Sequence, residues 1–190
     1  MEAAGAETKH VHFVDAVLNE HGKPRQWQLE DHEVIEKLIV ELGDVRLIVI
    51  DPVTAYVGKK DGHSTSDVRG LLTPLMELAS REKVAILGIS HLNKASQSEA
   101  MSRVTGSMAY VAASRAAYVV GRHPTDENAR CLAPLKNNLG DDKTGFGYRV
   151  VSAKSHDGFD TSRIEWIPGA IEVKAEDVLS KPPNLSLIHI

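Results

Sequence analysis

The stretch Leu47-Ile48-Val49-Ile50-Asp51-Pro52 decides the fold class of this protein. Together with Val45 and Arg46 it forms a β-branched, mostly apolar run that ends on a carboxylate and a proline. Because the apolar residues follow one another without polar alternation, the run predicts a strand that is buried on both faces, as in a parallel sheet. Asp51 then stands at the carboxyl end of that strand.

Helical patterns flank this strand on both sides. Residues 31–42 place apolar side chains at helical spacing, and Asp31 can cap that helix. A second helical pattern covers residues 67–82. Residues 84–90 then form a second apolar run, which is followed by His91. The order helix, strand, helix, strand predicts a parallel α/β sheet in which both strands are buried.

The remainder of the chain changes from long helices to strands and turns. Residues 107–114 are rich in small helix formers, and residues 115–121 predict another strand. Three shorter strands are predicted beyond it, separated by turn clusters, at residues 130–136, 146–153 and 163–167. These strands predict an antiparallel extension of the parallel sheet.

The composition is that of an ordinary acidic domain. The 190 residues include 22 Lys and Arg against 26 Asp and Glu, which gives a formal charge of −4. A chain of this length buries a core without disulfides, so we expect one domain. The single Cys131 has no intramolecular partner, and the sequence shows neither a signal peptide nor an apolar run near the ~20 residues that span a bilayer. The cytosol is the expected location.

The charge and the aromatic content also bear on nucleic-acid binding. Mild acidity argues against a protein that coats nucleic acid through bulk charge, although local basic loops remain compatible with it. Because only 5% of the residues are aromatic, we do not expect base-stacking platforms to dominate binding.

Asp51 and His91 are the candidate chemical groups, since ligands of open α/β sheets collect at the carboxyl ends of parallel strands. A carboxylate at such an end is suited to hold the water shell of Mg²⁺ in a nucleotide hydrolase. An aspartate that caps the next loop and a hydrogen-bonded structural histidine are the alternatives. The histidines lack zinc-site spacing, and no GxSxG, Cys/His pair or GxGxxG motif is present.

These stretches together resemble a known family. The resemblance rests on four stretches in a fixed order: residues 47–52, residues 86–94 (Ile-Leu-Gly-Ile-Ser-His-Leu-Asn-Lys), residues 104–107 (Val-Thr-Gly-Ser) and Ser114-Arg115. In this combination the chain, from about Met1 to Val151, resembles the RecA-like ATPases of the RepA hexameric helicase type, the AAA_25-like ATPases of plasmids, phages and integrated elements.

The resemblance implies a fold and a domain organisation. The fold class is α/β, with a partial RecA-like parallel sheet flanked by helices and an antiparallel C-terminal extension. The partial ATPase core would cover residues 1–170 and a C-terminal tail residues 171–184. Residues 185–190 back-translate as CTG TCT CTT ATA CAC ATC, which resembles a transposase end sequence used in preparing sequencing libraries. We therefore expect residues 185–190 to be non-native read-through.

The resemblance also implies roles for individual residues, with ATP and Mg²⁺ as cofactors. Asp51 matches the Walker B aspartate that positions Mg²⁺, and His91 matches the sensor of the γ-phosphate. Arg115 resembles the arginine finger that reaches the nucleotide of a neighbouring subunit, and Lys136 the second basic group that acts in trans. A surface salt bridge for Arg115 and a turn at residues 136–138 are the alternatives.

One motif of the family is missing. Such ATPases need GxxxxGK(S/T), whose backbone amides and lysine cradle the phosphates, and this sequence does not contain it. The catalytic glutamate of the family has no assignable match either. We therefore expect the chain to be a fragment whose phosphate-binding half precedes Met1, and we expect this chain alone to be inactive.

The implied partners are further copies of the chain and DNA. The complete protein would assemble as a homo-oligomeric ring, a hexamer, and would translocate single-stranded DNA during replication, without contact with a membrane. The loops that would face the central channel contain Lys59, Lys60, Lys94 and Arg103. A recombinase-like ATPase without helicase activity and a non-catalytic interaction module that has lost its nucleotide site are the alternatives.

Overall fold

The computed structural model describes residues 2–60, 62, 64–91 and 109–180. These residues belong to two compact units. The parallel-sheet unit contains the described residues between 13 and 91 together with residues 109–113, and the antiparallel-sheet unit contains residues 2–12 and 114–180. The domain boundaries expected after residues 170 and 184 stay predictions.

The parallel-sheet unit alternates helices with short strands. In chain order it contains β1 (Val17–Leu18), β2 (Pro24–Arg25), α1 (His32–Leu42), β3 (Leu47–Ile50), a 3-10 turn (Val53–Tyr56), α2 (Thr65–Glu82), β4 (Ala85–Gly88) and α3 (Ala109–Ala113). The helix α2 begins two residues before its apolar pattern does. Ser64 accounts for the earlier start, because its hydroxyl accepts a hydrogen bond from the backbone N–H of Asp67 and so caps the helix.

Asp31 stands immediately before α1 as expected, but its side chain does not cap the helix. The carboxylate instead accepts two hydrogen bonds from the guanidinium of Arg25, at 2.7 and 2.6 Å, and one from the backbone N–H of Gln28 at 2.8 Å. The two-pronged donor of an arginine matches both carboxylate oxygens at once, so it competes successfully with the helix amides. The expected capping by Asp31 is therefore wrong.

The strands β3 and β4 pair in parallel, from Leu47 opposite Ala85 to Ile50 opposite Gly88. This pairing confirms the parallel α/β arrangement that the sequence pattern predicts. The core of the unit lies on the face of Ile48, Ile50 and Ile86, where α1 and α2 pack against the sheet. The apolar side chains that these helices contribute are Ile35, Ile39, Leu71, Leu75 and Leu78.

The other face of this sheet is open to solvent. Leu47, Val49 and Leu87 are 55%, 52% and 50% exposed. The expectation that both strands are buried on both faces is therefore wrong for the described residues. The physical reason is that α1 and α2 both pack on one side of a sheet that has only two strands within the described part of the unit.

The antiparallel-sheet unit has four strands in the order β5 (Ala116–Arg122), β6 (Arg130–Asn137), β7 (Thr144–Lys154) and β8 (Asp160–Glu172), followed by α4 (Ala175–Ser180). Two short 3-10 turns at Glu2–Ala4 and Thr8–His10 belong to the same unit. The antiparallel pairing is confirmed, but in the described part of the chain these strands hydrogen-bond only to one another and form a sheet of their own rather than an extension of the β3–β4 sheet. The later strands are also longer than expected. The strand β8 has 13 residues, because residues on both sides of the expected strand 163–167 also pair with β7, in a ladder that runs from Lys154 opposite Asp160 to Thr144 opposite Glu172.

The core of this unit lies on one face of the sheet, under α4. Val119, Cys131 and Ala133 are buried there against residues 173–178. The fit is tight enough that a side chain at Gly121 would collide with Val178. Among the described residues, no helix is both long enough and apolar enough to cross a membrane.

Candidate nucleotide site

Asp51 and His91 lie at the same edge of the parallel sheet, because each follows one of two adjacent strands. Two backbone hydrogen bonds continue the pairing beyond β3 and β4. The N–H of Ile89 donates to the carbonyl of Ile50 at 2.9 Å, and the N–H of Val53 donates to the carbonyl of Ile89 at 2.8 Å. The side chains of Asp51 and His91 are both exposed at this edge.

The chain segment before α1 fixes the turn that follows Asp51. The N–H of Leu29 donates to the carbonyl of Tyr56 at 2.8 Å, and the rings of Trp27 and Tyr56 pack with their centroids 5.4 Å apart. Trp27 and Leu29 are buried, so they anchor the turn in the core. No sequence pattern marks this segment as part of the site, since a contact between positions almost 30 residues apart leaves no local pattern.

The chemistry of this edge matches part of what ATP and Mg²⁺ require. Magnesium is usually held by one or two carboxylates together with phosphate oxygens and water, so the exposed carboxylate of Asp51 suits one ligand position. Within the described part of the chain, no group of three or more His, Cys, Asp and Glu side chains could hold a metal ion by itself. The phosphate cradle is the part that this sequence does not supply.

Arg115 and Lys136 come together in the antiparallel-sheet unit. The ammonium of Lys136, on β6, donates a hydrogen bond to the carbonyl of Ser114 at 2.7 Å. The carbonyl of Arg115 accepts a hydrogen bond from the N–H of Asn138 at 2.9 Å. Lys136 is therefore part of a strand rather than of a turn, and it is half-buried.

The guanidinium of Arg115 is exposed just before β5. No carboxylate in the described residues forms an ion pair with it, so the salt-bridge alternative is not realised there. Arg115 and Lys136 belong to one unit, and Asp51 and His91 belong to the other.

The expected DNA contacts are described only in part. Lys59 and Lys60 are exposed in the loop between the 3-10 turn and α2. Lys60 borders a cleft of about 370 Å³ that two carboxylates, Glu30 and Asp67, also line. Lys94 and Arg103 lie outside the described residues.

Comparison with known proteins agrees with this geometry. A family model described as an AAA domain, AAA_25, matches residues 1–97 of the 190-residue chain. The matched region includes both strands of the parallel sheet and the residues that follow them, Asp51 and His91. Among curated proteins, none matches this sequence. The chain belongs to the AAA_25 family, a family of AAA/RecA-like ATPase domains.

Proposed function

We propose that this chain is the C-terminal portion of a ring-forming ATPase, a replicative DNA helicase of the RepA type from a plasmid, phage or integrated element. One observation carries the proposal: two adjacent parallel strands bring a carboxylate, Asp51, and an imidazole, His91, to the same sheet edge. Membership in an AAA-domain family supports the ATPase part of the proposal.

In this proposal the roles of Asp51 and His91 follow from their positions. Bound Mg²⁺ neutralises charge on the phosphates of ATP. The carboxylate of Asp51 orients the water shell of that ion, and the paired strand behind Asp51 keeps the carboxylate in place. The imidazole of His91 hydrogen-bonds the terminal phosphate of ATP. When hydrolysis removes that phosphate the hydrogen bond is lost, and the segment that follows β4 responds to this change.

Ring assembly is proposed because Arg115 has the properties of a group that acts on another subunit. Its guanidinium is exposed and has no carboxylate partner among the described residues. The neighbouring Lys136 bonds to the carbonyl of Ser114, which holds the start of β5 in place. A guanidinium delivered in this way stabilises charge that develops on the transferring phosphoryl group. Lys136 would add a second positive charge on the same side.

Single-stranded DNA is the proposed track of the ring, with Lys59, Lys60, Lys94 and Arg103 as its phosphate contacts. Lysines on exposed loops suit this role because they neutralise phosphates without reading sequence. A DNA substrate of this kind also implies a cytoplasmic location.

We further propose that a longer protein supplies the phosphate cradle from a segment outside this sequence. Two observations support this proposal. The sequence lacks GxxxxGK(S/T), and one face of the β3–β4 sheet leaves Leu47, Val49 and Leu87 half-exposed, whereas parallel sheets are ordinarily covered on both faces.

The test is DNA-stimulated ATP hydrolysis and strand unwinding by the complete protein. Asp51→Asn should reduce hydrolysis at least a hundredfold, since the amide is a poor ligand for Mg²⁺. Asp44→Asn is the matched control, because Asp44 is an exposed aspartate only seven residues away that pairs with Arg46 on the surface. Equal effects of the two substitutions would contradict the proposed role of Asp51.

The same assay separates the two alternative functions. A recombinase-like ATPase would hydrolyse ATP in the presence of DNA without unwinding a duplex. An interaction module would neither hydrolyse ATP nor respond to Asp51→Asn, although it would still associate with a partner ATPase through the surface around Arg115.

A further inference from the structure

One face of the four-stranded antiparallel sheet is apolar and open to solvent. It is the face opposite α4 and the core of Val119, Cys131 and Ala133. Tyr148 on this face is buried, whereas six large side chains on the same face are between 39% and 58% exposed: Tyr118, Val120, Phe146, Val150, Ile164 and Trp166.

The strand register places these side chains side by side. Val120 lies opposite Leu132, and Leu132 lies opposite Phe146, so one row crosses β5, β6 and β7. Tyr148 lies opposite Trp166 in the next row, which connects β7 to β8. Because residues directly opposite each other project to the same side of a sheet, the rows form one continuous surface.

The exposed ring of Trp166 is held in position by the exposed Phe146 and by Tyr148, which is buried. The ring of Trp166 meets Phe146 edge-on, with centroids 6.5 Å apart, and meets Tyr148 edge-on at 5.7 Å. These contacts fix the orientation of the indole while more than half of Trp166 stays in solvent. The chain contains two Trp, four Tyr and three Phe residues, and one Trp, two Tyr and one Phe lie here. The low aromatic content therefore hides a local concentration of rings.

Two arginines lie on the same face. Arg122 on β5 stands directly opposite Arg130 on β6, and Arg130 stands opposite Tyr148. Like charges in directly opposite positions destabilise a sheet. In the described part of the chain, neither arginine has a carboxylate within ion-pair distance.

The arginines of the opposite face are different. Arg149 pairs with Asp126, and Arg163 pairs with Glu165, each at 2.6 Å. Lys154 on the aromatic face also pairs with Asp160, at 2.6 Å. Among the described arginines of the sheet, those of the opposite face are therefore neutralised, whereas Arg122 and Arg130 beside the exposed rings are not. The natural complement of such a surface is a polymer that has both flat apolar groups and anionic groups.

We propose that this aromatic face, composed of the exposed Tyr118, Phe146 and Trp166 with Arg122 and Arg130 and supported from below by Tyr148, binds single-stranded nucleic acid. Bases stack on Trp166 and Phe146, and phosphates lie between Arg122 and Arg130. The proposal extends the proposed function, since a helicase generates the single strand that would bind here. It requires no nucleotide hydrolysis, so it is tested separately.

The experiment measures binding of a fluorescein-labelled oligothymidine of about 20 nucleotides by fluorescence anisotropy without ATP, over a range of salt concentrations. Trp166→Leu should weaken binding roughly five- to a hundredfold, because it removes one stacking partner. The double variant Arg122→Ala/Arg130→Ala should weaken binding about tenfold or more. It should also reduce the slope of log K against log salt by roughly 1 to 2, since two phosphate contacts disappear.

Arg149→Ala/Arg163→Ala is the matched control, because it removes two positive charges from the other face of the same sheet. It should leave the salt slope nearly unchanged. Circular dichroism spectra and melting curves of each variant identify those that fold. As a second measurement that leaves the aromatic face intact, Trp27→Phe removes the buried tryptophan, so emission comes from Trp166 alone. Saturating oligothymidine should then quench that emission.

Three results would overturn the proposal. The first is equal weakening by the aromatic-face double variant and by its control. The second is Trp166 emission that stays constant while the oligonucleotide is bound. The third is a change of oligomeric state in Trp166→Leu, seen by sedimentation, without a change of affinity, which would assign the face to a protein interface. Loss of ATP hydrolysis in Asp51→Asn with unchanged oligothymidine binding supports the two proposals independently, since each readout reports on its own site.

Discussion

The guanidinium of Arg25 and the carboxylate of Asp31 form a two-pronged ion pair, with N–O distances of 2.7 and 2.6 Å, at the entrance to α1. The hydrogen bond from Arg25 is the main reason why the pKa of Asp31 lies below its ordinary value. The carboxylate of Asp31 also accepts a hydrogen bond from the backbone N–H of Gln28. The next residue is the buried Leu29, which anchors the turn after Asp51. A part-buried ion pair and the candidate nucleotide site are thus joined by one short segment.

This relationship predicts a pH-dependent stability. Because the pKa of Asp31 is lower in the folded chain than in the unfolded chain, the pair stabilises the fold at pH values above the ordinary aspartate pKa of about 4. The stabilisation is lost as the pH falls through the lowered pKa. Arg25→Ala should reduce the free energy of unfolding by about 1 kcal/mol at pH 7, with the difference from wild type shrinking below pH 4.

Urea denaturation at pH 7 and at pH 3 measures this difference. Arg46→Ala is the control, since Arg46 and Asp44 form a pair of similar length, 2.7 Å, in which both side chains are mostly exposed. The control should change stability by no more than about 0.5 kcal/mol at either pH. If the difference in free energy of unfolding between wild type and Arg25→Ala is larger at pH 3 than at pH 7, the ion pair does not stabilise the fold in the way proposed.

The 190-residue chain by itself should not hydrolyse ATP. A carboxylate and a sensor without a phosphate cradle do not hold the nucleotide in line for attack. Purified 190-residue protein should therefore show no Mg²⁺-dependent release of phosphate above the rate of a buffer blank. Appreciable turnover that disappears on Asp51→Ala would show that the chain contains a complete site.

Arg115 and Asp51 should complement each other between subunits of the complete protein. Arg115→Ala should reduce turnover by about 10³- to 10⁵-fold and leave nucleotide affinity largely unchanged, because the finger acts mainly in the transition state. Asp51→Asn should impair the Mg²⁺ site of its own subunit. Mixed rings should then contain some interfaces at which an intact Asp51 faces an intact Arg115.

The measurement is ATPase activity of the two variants, first separately and then after mixing and exchange of subunits. Activity of the mixture should exceed the sum of the separate activities. If mixed rings form, as shown by co-purification of differently tagged variants, and activity does not recover, Arg115 does not act in trans.

The open face of the β3–β4 sheet should make the isolated chain prone to association. Val49→Thr/Leu87→Thr should increase solubility and decrease binding of an apolar dye, since both side chains are about half-exposed and lie on the same face. Because little buried area is lost, the melting temperature should change by only a few degrees. Light scattering and dye fluorescence measure the two effects.

Val40→Thr is the control for this prediction. Val40 lies on α1 and is 73% exposed. A single exposed apolar residue outside that face should have little influence on association. Equal improvement by Val40→Thr would indicate that general surface hydrophobicity, rather than the β3–β4 face, drives association.

Local patterns in the sequence determined the elements of the parallel-sheet unit. The unbroken apolar runs at residues 47–50 and 84–90 predicted strands, and the helical periodicity of residues 31–42 and 67–82 predicted the helices between them. This prediction worked because each pattern reflects how one segment buries its own apolar side chains. The order of these elements was sufficient to predict parallel pairing and the position of Asp51 and His91 at one sheet edge.

Only the tertiary structure decided what those strands bury and which distant residues meet. Whether Val49 is covered depends on how many layers pack on the sheet, which a strand's own sequence does not record. Asp31 does not cap α1 because Arg25, which comes from a separate strand, engages its carboxylate instead. The aromatic face arises from the register of β5 to β8, which brings Val120 and Trp166 onto one surface although 46 positions separate them in the sequence. Register is set by the pairing of whole strands, so it appears only when the sheet has formed.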